Sequence, residues 1–158
     1  MLKLWSTEIC MRDYFCFFLR LISFWVSLAV ILTHADDARA DIAVRIGLAR
    51  QEMNVEVDGI HYATWAVSTA RRGYRTPEGT YTPYLLDRMH YSKLYDYTPM
   101  PYSIFFLRGY AIHGTTEVRN LGRAVSHGCV RLRPDNAKRL FDLVSIHGLQ
   151  STSISIIK

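Results

Sequence analysis

Apolar and polar residues alternate through Ile42, Val44, Ile46 and Leu48, the period of two that marks a strand with one buried face. "MNVEV" (53–57) repeats the pattern, and Asp58-Gly59 follows it. That dipeptide suits a tight hairpin turn, where both central residues need positive φ. "IHYATWAVST" (60–69) then returns as a β-branched and aromatic strand. Residues 71–79 are punctuated by Gly73, Pro77 and Gly79 and read as a loop. A strand is expected over 80–86, irregular tyrosine-rich chain over 87–101, and buried strands at 103–107 and 110–113 with a break at Gly109. One segment has the period of a helix. Pro134 fits a first helical position, Asp135 sits near the positive end of the dipole, and Ala137, Leu140, Phe141 and Val144 share one face before Gly148 closes it. Residues 153–157 form a last strand. Seven or so short strands and one helix predict a mainly β fold, a sandwich or curled sheet.

The first forty residues have a different character. "LISFWVSLAVIL" (21–32) is apolar and uncharged, Arg12 and Arg20 precede it, and Ala38-Arg39-Ala40 follows. A positive start, a short apolar run and an A-x-A site describe a secretory signal peptide, so residues 1–40 are expected to be removed and the mature chain to begin at Asp41. Met11 is a second candidate start. An uncleaved anchor is the alternative, although the run is shorter than the ~20 residues that span a bilayer. The remaining residues, 41–158, suffice for one domain. Net charge is +5, and residues 1–40 carry equal numbers of acidic and basic side chains, so the excess lies in 41–158. A basic exported domain suits a polyanionic partner such as cell-wall polymer or a membrane surface, while scattered arginines and the lack of any nucleic-acid motif argue against nucleic acid.

Cysteine usage narrows the reading. Of Cys10, Cys16 and Cys129, only Cys129 survives removal of residues 1–40, so the mature chain has no intramolecular disulfide. It lies in "AIHGTTEVRNLGRAVSHGCVRL" (111–132), behind the second of two His-Gly pairs. A thiolate nucleophile needs a base nearby. His113, at the end of a strand, can face the sulfur from across a sheet; His127, two residues from Cys129, suits a substrate- or loop-orienting role. Gly128 permits a tight turn, which would let the N–H groups of Gly128 and Cys129 bind an oxyanion. The carbonyl of Gly114 would fix the His113 tautomer. The plainer readings are a small buried cysteine, core or surface histidines, a turn role for Ser126, an ion pair for Arg131, and a zinc site, which would lack a fourth ligand.

"SHGCVRL" with the upstream "IHGT", the "TPEGTY" loop (76–81) and "MPYSIFF" (100–106) resembles the L,D-transpeptidase catalytic domain family of YkuD type, over almost all of 42–157. The resemblance implies an L,D-transpeptidase-type curled β-sandwich with one principal helix, and a catalytic domain over 41–158. It implies a cysteine acyltransferase of cell-wall biogenesis. Cys129 would be the nucleophile, His113 the general base and proton donor, Gly114 the carbonyl orienting His113, and Gly128 an oxyanion-hole N–H. Ser126, His127 and Arg131 would contact substrate. The thioester would form on a peptidoglycan tetrapeptide stem with loss of D-alanine and pass to an amine, giving a 3→3 cross-link. Transfer to water, or to an envelope protein, is the alternative. No metal or organic cofactor is implied, and the location would be the periplasm or cell-wall surface.

Overall fold

A computed structural model describes residues 41–158; the expected signal segment, 1–40, lies outside the described residues. Two sheets and one α-helix make up this region. The strands are β1 (Ile42–Gly47), β2 (Glu52–Val57), β3 (Ile60–Ala66), β4 (Gly79–Tyr81), β5 (Leu85–Ser92), β6 (Thr98–Leu107), β7 (Tyr110–Gly114), β8 (Val130–Leu132) and β9 (Thr152–Ile157). The helix, α1, is Pro134–His147, and short 3-10 turns lie at Val118–Asn120 and Leu149–Ser151. One sheet has the order β3-β2-β1-β9-β4, the other β5-β6-β7-β8. The β1–β9 and β7–β8 pairs are parallel and the rest antiparallel. Among the described residues no helix is long and apolar enough to cross a membrane.

The alternation in the sequence becomes burial. Ile42, Val44 and Ile46 of β1 face the core, as do Met53 and Val55 of β2 and Ile154 and Ile156 of β9. The turn between β2 and β3 has positive φ at both Asp58 (53°) and Gly59 (74°), the conformation the Asp-Gly pair favours. Helix α1 starts on Pro134, buries Ala137, Leu140, Phe141 and Val144, and ends where Gly148 takes φ 98°. Its apolar stripe packs against β6 and β7.

Two expectations need correction. The strand foreseen over 80–86 is split at Pro83, which has no N–H for a ladder: Gly79–Tyr81 pairs with β9 in one sheet, and the chain then enters the other sheet at Leu85. The region 87–101 is not irregular. It is most of a long hairpin, β5 with β6, in register from Leu85↔Phe105 to Ser92↔Thr98. Strand β5 has no residue buried from solvent, so no apolar period announces it.

The sheet β5-β6-β7-β8 positions everything that follows. Ile104, Phe106, Ile112, Val130 and Leu132 point to the main core. The alternate residues face the other way, and there Met100, Phe105 and Ala111 form a small apolar floor against which Cys129 packs. A period of two therefore sends Cys129 and Arg131, flanking buried Val130, and His113, beside buried Ile112, to the face opposite the core.

Candidate active site

Strands β7 and β8 run parallel with Ile112 opposite Val130 and His113 opposite Arg131. Cys129, one residue before β8, shares the outward face with Arg131, so its sulfur and the His113 ring are diagonal neighbours across the strand pair. Both line one cavity of about 730 Å³, together with Arg131, His127, His90 and Tyr95.

His113 is held firmly. It is only 5% exposed, and its Nδ1 lies 2.8 Å from the carbonyl oxygen of Gly114. A carbonyl can only accept, so Nδ1 carries the proton and Nε2 is left as the basic nitrogen. Burial lowers its pKa to about 4; the Gly114 carbonyl opposes the shift, while the charges of Arg131 and His90 add to it. Gly114 has no room for a larger residue: a Cβ there would meet Pro101 Cγ and Pro134 Cα, both at 3.1 Å. The peptide that orients the imidazole is thus wedged between two prolines.

Cys129 is half-buried, with Sγ 3.8 Å from the carbonyl oxygen of Gly109. Burial pushes its thiol up from the ordinary value, against the N–H of Ala111 and the charge of Arg131, which favour thiolate. Both partners are therefore neutral at rest, a thiol and an imidazole. Such a pair works by general-base transfer of the thiol proton during attack, without a standing ion pair.

The turn before Cys129 is braced from three sides. Gly128 has φ 141°, and a Cβ on it would come within 2.7 Å of Tyr110 Cε1 and 3.1 Å of the Arg75 carbonyl oxygen. Its N–H donates to Ser126 Oγ at 3.0 Å, and its carbonyl accepts from Thr76 Oγ1 at 2.8 Å. Ser126 Oγ in turn donates to the Cys129 carbonyl at 2.7 Å. These bonds change two assignments. The Gly128 N–H, expected to face an oxyanion, is already engaged by a side chain two residues back. Ser126, expected to touch substrate, is 1% exposed and spends its hydroxyl on the turn. On this turn the oxyanion expectation is left with the N–H of Cys129. Thr76 was visible within "TPEGTY", but its bond to a carbonyl fifty-two residues away was not.

His127 stands apart from the sulfur's partner. Its ring stacks on Tyr95, with centroids 4.6 Å apart and planes 10° apart, and meets Tyr74 edge-on at 4.6 Å. Arg71 Nη2 lies 2.8 Å from Nε2, which must accept, so the proton sits on Nδ1. Desolvation and the charges of Arg71 and Arg131 move it toward the neutral form. Arg131 serves two roles at once: Nη1 pairs with Glu117 Oε2 at 2.8 Å, and the guanidinium lines the cavity. Glu117 and His90 are among the lining residues that sequence reasoning passed over, His90 because it lies in the stretch read as irregular. Among the described residues no group of three or more His, Cys, Asp or Glu is placed to hold a metal.

A buried imidazole with one nitrogen tied to a backbone carbonyl, diagonal to the one cysteine among the described residues, which follows a glycine at positive φ, is in keeping with the sequence resemblance. The model of the L,D-transpeptidase catalytic domain, YkuD, matches residues 41–154. The chain belongs to the L,D-transpeptidase catalytic domain family. The probable L,D-transpeptidase ErfK/SrfK of Escherichia coli K12 is 38% identical over 91 residues, 51% of this chain and 29% of that protein. An L,D-transpeptidase from Stackebrandtia nassauensis superposes with a TM-score of 0.64 at 25% identity, covering 80% of this chain and 62% of that one. L,D-transpeptidase 3 from Mycobacterium tuberculosis, in complex with a faropenem-derived adduct, gives a TM-score of 0.66 at 18% identity, covering 75% and 61%. The matched segments thus span less than two thirds of each of these relatives.

Proposed function

We propose that this domain is a peptidoglycan L,D-transpeptidase acting through Cys129. The observation that carries the reading is the diagonal placement of His113 and Cys129 on the open face of β7 and β8, with Nδ1 of His113 tied to Gly114 and Nε2 available. Cys129 Sγ attacks the carbonyl carbon of the diamino-acid residue, the third of a tetrapeptide stem, whose amide bond to D-alanine breaks. Its proton passes to His113 Nε2 and then to the leaving amine, D-alanine, as the thioester forms. An amine of a second stem attacks the thioester, and the sulfur leaves as thiol. His127 and Arg131 contact the donor stem, Arg131 as a fork for a carboxylate while Glu117 holds one side of it. The N–H of Cys129 supports the oxyanion.

Mass spectrometry of the purified protein with muropeptides tests this. Loss of D-alanine with dimer formation is the expected result. Loss of D-alanine without dimer would identify a hydrolase using the same thioester, and transfer to an envelope protein's amine would identify an anchoring enzyme. We further propose that the protein is exported, with cleavage after Ala40; N-terminal sequencing of the envelope fraction should begin at Asp41.

A further inference from the structure

A third histidine lines the cavity, on β5, the edge of the sheet away from β8. His90 lies near the end of β5, in register with Met100 of β6. Its ring meets Phe105 edge-on, centroids 5.0 Å apart at 80°. Met100 and Phe105 belong to the apolar floor on which Cys129 packs, so His90 and the sulfur stand on one floor. His90 Nδ1 lies 3.1 Å from Asp87 Oδ2, three residues back on the same strand. The carboxylate fixes the tautomer with the proton on Nδ1 and presents Nε2 as a base, as the acid member of a catalytic triad does for its imidazole. Around His90 stand Asp87 on its own strand and Lys93 just beyond it, and across the cavity His113 and Arg131. A proton on His90 disfavours one on His113, which places the two rings within electrostatic reach.

The proton count of the reaction gives this group work that His113 does not do. Once D-alanine has left with the cysteine's proton, His113 is neutral and the thioester stands on Cys129. An alkyl amine arrives as ammonium, with three protons. One must be lost before nitrogen has a lone pair. A second is lost as the N–C bond forms and the C–S bond breaks, and it returns to sulfur through His113. The net change is ammonium plus thioester to amide, thiol and one proton released to solvent. Water needs only the second of these transfers. We propose that His90, oriented by Asp87, is the base that takes the first proton from the incoming ammonium and passes it to solvent, marking the β5 wall as the acceptor side of the cleft. This rests on the transpeptidase reading above.

The experiment compares wild type, His90→Gln and Asp87→Asn with a tetrapeptide stem as donor, and reads D-alanine release, hydrolysed tripeptide and cross-linked product by mass spectrometry. His90→Gln is expected to lose the ratio of amine transfer to hydrolysis by roughly 10²-fold, the size typical for loss of a general base. Asp87→Asn, a positioning change, should lower the ratio less. Hydroxylamine, uncharged at neutral pH, needs no prior deprotonation, so its transfer by His90→Gln should match wild type. An unchanged ratio in His90→Gln, or an equal loss with hydroxylamine, overturns the proposal. Wild type that releases no D-alanine fails at the earlier step and rejects the transpeptidase reading itself, and wild type that only hydrolyses rejects an acceptor-side base.

Discussion

The chain spells His-Gly three times, and the two pairs that belong to the cysteine site, 113–114 and 127–128, are built for opposite purposes. In 113–114 the imidazole is buried on a strand, Nδ1 donates to the adjacent carbonyl, and burial holds the ring neutral. In 127–128 the imidazole is half-exposed, stacked on Tyr95 with Tyr74 edge-on, and accepts from Arg71. The glycines differ as well. Gly114 is small because two prolines press on it, whereas Gly128 is both confined and at positive φ. A dipeptide motif therefore says little by itself. Strand register sends His113 to the face of the sulfur, and the bend at Gly128 sends His127 to the rim with the loop that carries Tyr95.

The largest effect should come from removing what both pairs serve. Cys129→Ala is expected to abolish D-alanine release while the circular dichroism and melting of the domain stay near wild type, since no disulfide is lost. A carbapenem such as meropenem should add one adduct per chain to wild type by intact-protein mass spectrometry and none to Cys129→Ala. An adduct surviving in the variant would place the acyl acceptor elsewhere. The contrast between the histidines comes next. His113→Ala should lower kcat/KM for D-alanine release by ~10²–10⁴-fold. His127→Ala removes a stacked ring and a bond to Arg71, and should cost on the order of tenfold, mostly in KM, as loss of a binding contact does. A larger loss at His127 would reverse the assignment.

Gly128→Ala probes the turn that separates the pairs. A methyl at φ 141° would lie 2.7 Å from the Tyr110 ring and 3.1 Å from the Arg75 carbonyl, so backbone must move. Strain of this kind costs about 1–3 kcal/mol, visible as a lower Tm, and the displaced Cys129 should acylate more slowly than the loss of stability explains. Gly109→Ala in the neighbouring β6–β7 turn, where a Cβ meets nothing within 4 Å, is the control and should leave Tm nearly unchanged.

The same contrast explains what could be read from residues alone. Strands β1, β2 and β9 and helix α1 each have one buried face, so their apolar period is written in the sequence; β7 is buried on both faces and reads as a short apolar run instead. Strand β5 has none, and β8 is three residues long, so neither carries a period to detect. Cys129 and His113 were legible because a lone thiol and a strand-end histidine are chemically conspicuous. The duties of Gly128 and Ser126 were not, because which N–H meets which hydroxyl is set by the backbone of the turn. His90 was hidden for a related reason: only the pairing of β5 with β6 brings it over the floor shared with Cys129.

The smallest effect expected is on the rate of acylation as pH falls, and the stability that changes with it bears unequally on the two histidines. His113 in the folded state titrates at about 4, below the ordinary 6.5, because burial penalises its charge. Its lowered pKa means that the unfolded chain binds this proton first as pH falls. Its contribution therefore costs stability progressively from about 6.5 down to about 4, and is absent above that window. The full cost, reached below the folded value, is on the order of 3 kcal/mol from the size of the shift. For catalysis the same shift has the opposite sense: at pH 5 the base is still neutral and able to accept the thiol proton. Acylation of Cys129 by meropenem, measured as a rate by mass spectrometry, should thus change little between pH 7 and pH 5 once thiol ionisation is not limiting, and fall only near 4. His113→Gln should flatten the part of the Tm-against-pH curve between 6.5 and 4, while His127→Gln, whose ring is shifted the same way but at a half-exposed site, should flatten it less. A rate that drops with a midpoint near 6.5 would mean that His113 opens to solvent before attack, and the rigid seat between Pro101 and Pro134 would not be what keeps the base neutral.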